Sequence, residues 1–392
     1  MSPRVLFFCS QFHPTVGGAE RQAEQLARAL RRRGVEVEVL TPRRDPALPL
    51  REEIGGLPVH RYPIRDWSRR LGGVPGIGVP NLLGLRRATI RAAGSLLPRF
   101  DLVHAHVGSA LASFASEAAA RGGRPFLCKL ANGGPRFDLL RLRRGSLLGP
   151  LLARGLVART DLFLAISTEI EQDCLRAGIP PQRIRRLPNG VALPAQARPP
   201  VPEAARRLLY LGTLAPEKRD FETLFAAVDG LAGELPGLRL RLVGGGDRAR
   251  VEAMLRRFPR AAACTECAGP GDPETQLAWA DLLVQPSRSE GMSNALLEAM
   301  AAGVPCVASD IPPNRELLAE GEAGVLYRAG DARDLRRCLR ELYASQGERK
   351  RLYEAARRRV AREYDFERVA ERLEALYREL AGARRRNLGE AS

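Results

Sequence analysis

Short apolar runs alternating with segments of helical period restrict this chain more than any other feature. RVLFFCS is followed by the loop QFHPTVGG and by AERQAEQLARALRRRG, where Ala23, Leu26, Ala27 and Leu30 share one helical face; VEVEVLT comes next. The pattern recurs as DLVHAHV with SALASFASEAAARG, then RPFLCKLA, then TDLFLAIS with TEIEQDCLRAG. Runs of strand length joined through amphipathic helices predict a parallel, doubly wound sheet, because a parallel crossover needs about a helix's length to return. After the proline-rich LPAQARPPVPEA the alternation starts afresh with RLLYLGTL, LRLRLVGGG, ADLLVQPS, PCVAS and AGVLYR. The expected fold class is α/β: a Rossmann-like domain over 1–196, a linker at 197–204 and a second such domain over 205–392. The stretch from Arg333 to Leu380 reads as helix, and packing of the terminal helices back on the first domain is part of the expectation.

Hydrophobic residues make up 45% of the 392, enough for ordinary cores. No apolar run reaches the ~18 residues of a membrane span, and the opening MSPRVLFFCSQFHP is too short and polar for a secretory signal, so a cytoplasmic location is expected. The seven cysteines are odd in number and scattered. Cys264 and Cys267 form a lone C-x-x-C, with no second pair and no histidine after His106 to complete a metal site. The formal charge is +17, and residues 1–200 hold 31 basic against 15 acidic side chains, which points to an anionic partner for the first half. Of the 62 basic residues only Lys129, Lys218 and Lys350 are lysines.

In such sheets ligands bind beyond the carboxyl ends of the strands. SRSEGMSNALLEAMAAG, residues 287–303, follows one of them. Ser293 or Asn294 caps a helix that stops at Gly303 before Pro305, and the helix reads as buried apart from Glu298. A buried carboxylate needs hydrogen-bond donors; a ribose diol would serve, and so would a structural arginine. Glu290 stands beside the free amides of the helix start, where a diphosphate is favoured, and is better suited to sugar hydroxyls than to phosphate. His104 and His106 lie two apart on a strand and face the same way, His106 nearer the carboxyl end. Gly17 and Gly18 open a helix, as an anion site or an ordinary tight turn would require.

EGMSNALLEAMAAGVPCVAS resembles the E-x7-E signature of the retaining glycosyltransferases of family 4, which have the two-domain GT-B fold with an interdomain cleft. LGTLAPEKRDFETL, RLVGGGDRARVEAM, RRLPNGVAL, TVGGAERQAEQLARAL and DLVHAHVGSA resemble further segments of that family, in its order. The resemblance implies transfer of a sugar from a nucleoside diphosphate sugar to an acceptor hydroxyl, with retention and without a metal or other cofactor. It assigns the donor sugar's hydroxyls to Glu290 and the nucleotide ribose to Glu298. The diphosphate goes to Gly291, Met292, Ser293, Asn294 and Lys218, with Arg219, Gly212 and Thr213 nearby. His106 lines the sugar pocket, Gly17 and Gly18 lie near donor phosphates and acceptor, and Asn132 and Gly133 contact the acceptor. Thr213 departs from the family, which commonly has an arginine there; stabilisation of the leaving group's charge is the step this affects.

The leucine- and arginine-rich segments 79–100 and 135–160 resemble helices that rest on anionic lipid, as a lipid-linked acceptor at the inner face of the plasma membrane would require. Core leucines with solvated arginines are the alternative. A sugar-nucleotide epimerase and a sugar phosphorylase share the two-domain plan, but no lysine stands out for the phosphorylase's cofactor. An arginine-rich nucleic-acid binder is disfavoured, since aromatics are only 5% and do not interleave the basic residues.

Overall fold

The computed structural model describes residues 2–14, 17–64, 78–194 and 205–389, with side chains to 382. They divide into two units, Met1–Asn189 with Phe366–Ser392, and Gly190–Asp365. The division thus comes at Gly190, not at 196, and the last helix is counted with the first unit. The linker expected at 197–204 lies outside the described residues.

The first unit holds β1 (Arg4–Cys9), β2 (Glu36–Arg43), β3 (Arg51–Ile54), β4 (Leu57–Pro63), β5 (Leu102–His106), β6 (Phe126–Leu130), β7 (Leu162–Ala165) and β8 (Ile184–Arg186). They form one sheet in the order β3-β4-β2-β1-β5-β6-β7-β8, parallel except for β3 on β4. That hairpin was not anticipated. Its signal was the pair Gly55-Gly56, both at positive φ (55° and 81°), the backbone that a tight two-residue turn needs. β5, β6 and β7 are buried from end to end, as central parallel strands covered on both faces must be. The helices Gly18–Arg32 and Phe366–Gly389 pack together on a core that includes Phe7, Leu127 and Leu164.

The second unit continues with β9 (Arg207–Leu211), β10 (Arg239–Val243), β11 (Thr265–Gly269), β12 (Leu282–Gln285), β13 (Cys306–Ser309) and β14 (Val325–Tyr327). All six are parallel, in the order β11-β10-β9-β12-β13-β14. The order reverses between β9 and β12, so the loops after these two strands meet at a topological switch point. The helix Asn294–Ala302 follows β12 and packs on Gln346–Glu363. Gly303 ends it with φ +73°, and a Cβ there would stand 2.2 Å from the Tyr353 ring, so glycine is required on both counts.

Candidate functional site

In the second unit the glycine loops after β9 and β10 are laced together. The Gly212 amide donates to the Val243 carbonyl (2.9 Å), that of Leu214 to Gly245 (2.7 Å) and that of Asp247 to Leu214 (2.8 Å). A Cβ on Gly244 would lie 1.8 Å from the Gly212 carbonyl oxygen, so this approach depends on a bare backbone. The β9 loop also pairs with the β12 loop: the Asp220 amide donates to Pro286 (2.7 Å), that of Arg288 to Lys218 (2.8 Å), and Arg219 bridges Ser287 antiparallel.

This pairing sets Arg219 against Glu290, both largely buried. Arg219 Nη1 donates to Glu290 Oε1 at 2.5 Å, Ser287 Oγ donates to the same oxygen at 2.9 Å and Gln285 Nε2 at 3.2 Å. All three donors reach Oε1. Among the described residues Oε2 has no hydrogen-bond partner, which leaves it an unengaged acceptor. Arg219 is itself held, its Nε donating to the Tyr210 hydroxyl (3.3 Å), which donates to the Thr213 carbonyl (2.7 Å). Burial is the largest influence on Arg219 and opposes its charge, but Glu290 and Tyr210 together outweigh it and the guanidinium's pKa lies above the ordinary value. Burial pushes the Tyr210 phenol up to about 12.

Ser293 is the cap of the following helix, its Oγ accepting from the Leu296 amide at 3.4 Å. Gly291, Met292 and Ser293 are buried just before the first turn. Asn294 and Glu298, four residues apart, share one helix face and are half-buried, so Glu298 is more accessible than the sequence suggested. Lys218 is half-buried and Thr213 exposed. Arg219, expected near phosphate, is the counter-ion of Glu290, because its loop is hydrogen-bonded to the one that carries the acid.

In the first unit His104 and His106 stack, with ring centroids 4.3 Å apart, on the face that also carries Phe7. His104 Nδ1 bonds the Tyr377 hydroxyl of the last helix at 2.6 Å. Only 5% of His106 is exposed, and its Nε2 is buried with no hydrogen-bond partner among the described residues. Burial, reinforced by Lys129, holds both imidazoles well below the usual histidine range, hence neutral. Gly17 and Gly18 are exposed at a helix start, where the Gly17 amide already donates to Glu20 Oε2 (2.8 Å). Asn132 Nδ2 donates to Asp138 Oδ1 (2.7 Å), and Gly133 is buried beside Glu169. Asp138, 1% exposed, also accepts from the Ala131 amide (2.8 Å); burial lifts its pKa to about 6. Sequence reasoning passed over Lys129 as a site residue, Asp138, and the Ser287 and Gln285 donors. Lys129 alone carried a signal, as a rare lysine inside an apolar strand.

The segments set aside for a membrane surface fold as the helices Gly78–Leu96, Asp138–Arg144 and Gly149–Arg159. Leu139, Leu142 and Leu156 are core, whereas Leu147 is 88% and Leu151 65% exposed, and Val79 and Leu83 also reach the surface. A cavity of about 560 Å³ between these helices and the Val107–Ala110 turn is lined by Leu82, Asp138, Arg141, Arg144, Ser146 and Leu152 among others. No helix among the described residues is long and apolar enough to cross a membrane. Cys264 and Cys267 are free thiols. Among the described residues no three His, Cys, Asp or Glu side chains gather as a metal site would need.

Residues 205–345 match the family described as glycosyl transferases group 1, and residues 17–190 the glycosyl transferase 4-like domain. The chain is 27% identical to the GDP-mannose:cellobiosyl-diphosphopolyprenol alpha-mannosyltransferase of Komagataeibacter xylinus, over 97% of this chain and 94% of that protein. It is also 27% identical to the phosphatidyl-myo-inositol mannosyltransferase of Mycolicibacterium smegmatis, over 97% and 95%. Among solved structures, sucrose-phosphate synthase from Thermosynechococcus elongatus superposes with a TM-score of 0.76 at 21% identity, covering 97% of this chain and all of that one. Anabaena HepE in complex with UDP and glucose does so with 0.72 at 18% identity, covering 95% and 99%. The chain therefore belongs to the group 1, family 4 glycosyltransferases: a GT-B enzyme that moves a hexosyl unit from a nucleotide sugar to an acceptor hydroxyl with retention.

Proposed function

We propose that this enzyme is an α-mannosyltransferase that uses GDP-mannose and a lipid-linked acceptor at an anionic membrane surface. The observation that carries the assignment of the sugar site is Glu290, clamped through one oxygen by three donors and open at the other. A carboxylate that only stabilised the fold would have no reason to be held so one-sidedly; one that receives a sugar hydroxyl needs a fixed, vacant acceptor. Glu298 takes the ribose hydroxyls. The amides of Gly291, Met292, Ser293 and Asn294 at the helix start, together with Lys218, take the diphosphate. Gly212 and Thr213 shape the adjoining loop, and Arg219 acts on the sugar through Glu290. In the first unit His106, with Gly17 and Gly18, serves the sugar and phosphates, while Asn132 and Gly133 serve the acceptor.

In the reaction the bond from the anomeric carbon to the diphosphate oxygen breaks with its electron pair passing to the diphosphate. The acceptor oxygen bonds to the same face of that carbon, and its proton passes to the departing phosphate oxygen. Lys218 and the helix amides stabilise the growing charge. With Thr213 where the family arginine stands, Lys218 carries more of that task.

Two relatives act on lipid-borne acceptors by name, and the first unit presents Leu147 and Leu151 near Arg141, Arg143 and Arg144. Each basic residue near an anionic surface contributes about 1 kcal/mol, which supports peripheral binding. Thermal shifts with a panel of nucleoside diphosphates test the donor, since saturation at 100 times Kd adds about 2.7 kcal/mol; stabilisation by another nucleotide but not by GDP sinks the assignment. Sedimentation with phosphatidylglycerol vesicles, reversed by moderate salt, tests the surface, and equal sedimentation with neutral vesicles refutes it.

A further inference from the structure

Lys129 is the penultimate residue of β6, an interior strand of the first unit's sheet buried along its whole length, and is itself 4% exposed. In a chain with only three lysines among its 62 basic residues, this position holds one. No carboxylate among the described residues pairs with it, and desolvation is the one influence on its titration, which falls to about 8. A buried ammonium without a counter-charge opposes folding, and an apolar residue would serve the sheet better.

Its neighbours carry similar burdens. Lys129 lies opposite His106 in the parallel pairing of β5 and β6, so both project to one face near the carboxyl edge. His106 Nε2 is buried with no partner among the described residues. The next residue, Val107, has φ +76°, left-handed backbone that a β-branched side chain strongly resists, and its amide is tied to the Lys129 carbonyl at 3.0 Å. Three unfavourable features at one strand end indicate a place built for something other than the fold. The ionisable groups around them are His104 and His106 on β5, Cys9 opposite His106 on β1, Glu20 near Cys9, and Tyr377 on the last helix.

We propose that Lys129 is a further substrate-contacting residue of this glycosyltransferase, its ammonium donating to a substrate oxygen beside His106. This rests on the sugar-transfer reading. An ammonium donor next to a neutral imidazole suits an oxygen that is partly or fully negative: a sugar hydroxyl, a phosphate oxygen, or the acceptor oxygen as it gives up its proton. Whether donor or acceptor supplies it is decided by whose KM the substitutions change.

The test uses the full-length enzyme and the variants K129M, K129R and E290Q. K129M keeps the unbranched apolar stem, one atom shorter, and removes the charge. Its Tm should equal or exceed the wild type's, while kcat/KM falls about ten- to about 150-fold, the loss expected for one charge-assisted hydrogen bond. K129R should recover part of the activity and carry it to higher pH, because guanidinium stays protonated where the wild-type ammonium is lost near pH 8. K129M with kcat/KM within threefold of wild type overturns the proposal. So does a folded K129R that keeps the wild-type alkaline limb, and this outcome decides the matter should K129M fail to fold. K129M within threefold of wild type beside an E290Q impaired tenfold or more rejects Lys129 alone; both within threefold also removes the role given to Glu290.

Discussion

Replacing Glu290 by glutamine separates holding from binding. If the amide oxygen takes the place of Oε1, it keeps the donors Arg219, Ser287 and Gln285, and the NH2 group then stands where Oε2 was. A vacant acceptor becomes a donor with no charge. A charge-assisted hydrogen bond to a sugar hydroxyl is worth about 1.5–3 kcal/mol, so kcat/KM should fall about ten- to about 150-fold. Stability should fall less than in the loss of a fully buried pair, about 3–5 kcal/mol, because the side chains of Arg219 and Glu290 retain 11% and 13% exposure and the amide still accepts from the guanidinium; about 1–3 kcal/mol is expected. Initial rates with labelled GDP-mannose and urea unfolding of the same preparations measure the two effects. Ser287→Ala is the control: it removes one clamp donor and leaves Oε2 open, so its rate should fall by less than that of the glutamine variant. A folded Glu290→Gln enzyme with kcat/KM within threefold of wild type would refute the reasoning, since no acceptor would then have been needed at that point.

Asp138 has its folded-state pKa raised from 3.8 to about 6, so native protein holds a proton that the unfolded chain has released; this stability is present below pH 4 and lost as pH rises through 6. The stability difference between wild type and Asp138→Asn should therefore shift against wild type by about 2 kcal/mol between pH 4 and 6.5 in urea titrations, and a flat difference would refute the burial argument. Gly244→Ala forces a methyl into the Gly212 carbonyl, a backbone atom that cannot swing aside; nucleotide-induced thermal shifts should disappear even where the protein still folds. Tyr377→Phe leaves His104 Nδ1 without its 2.6 Å partner inside the core and should lower the unfolding free energy by about 1–3 kcal/mol, measured by the urea midpoint at unchanged slope.

Local chemistry made several of these elements legible. Short apolar runs between segments of helical period located most strands of both sheets, since a parallel strand covered on both faces is apolar along its length wherever the chain lies; β3, β4, β8 and β11, at or near the sheet edges, carry no such run. Ser293 and Gly303 marked the ends of their helix for equally local reasons, a side-chain cap and a left-handed stop. Glu290 and Glu298 drew notice because two carboxylates bracket the start of an otherwise apolar helix.

Partnerships between distant residues were invisible, because they depend on which strands become neighbours. Arg219 and Glu290 are 71 positions apart and meet only because β9 lies beside β12 in the sheet. Lys129 reads as an oddity in an apolar run until the register of β5 and β6 sets it opposite His106. Tyr377 reaches His104 across 273 positions because the last helix folds onto the first unit, which an amphipathic pattern permits but does not direct. Periodicity records whether a residue faces inward, a property of its own segment. Which group it faces is a property of the whole chain's path, and in this protein that path decides how the charges are paired and which are left open.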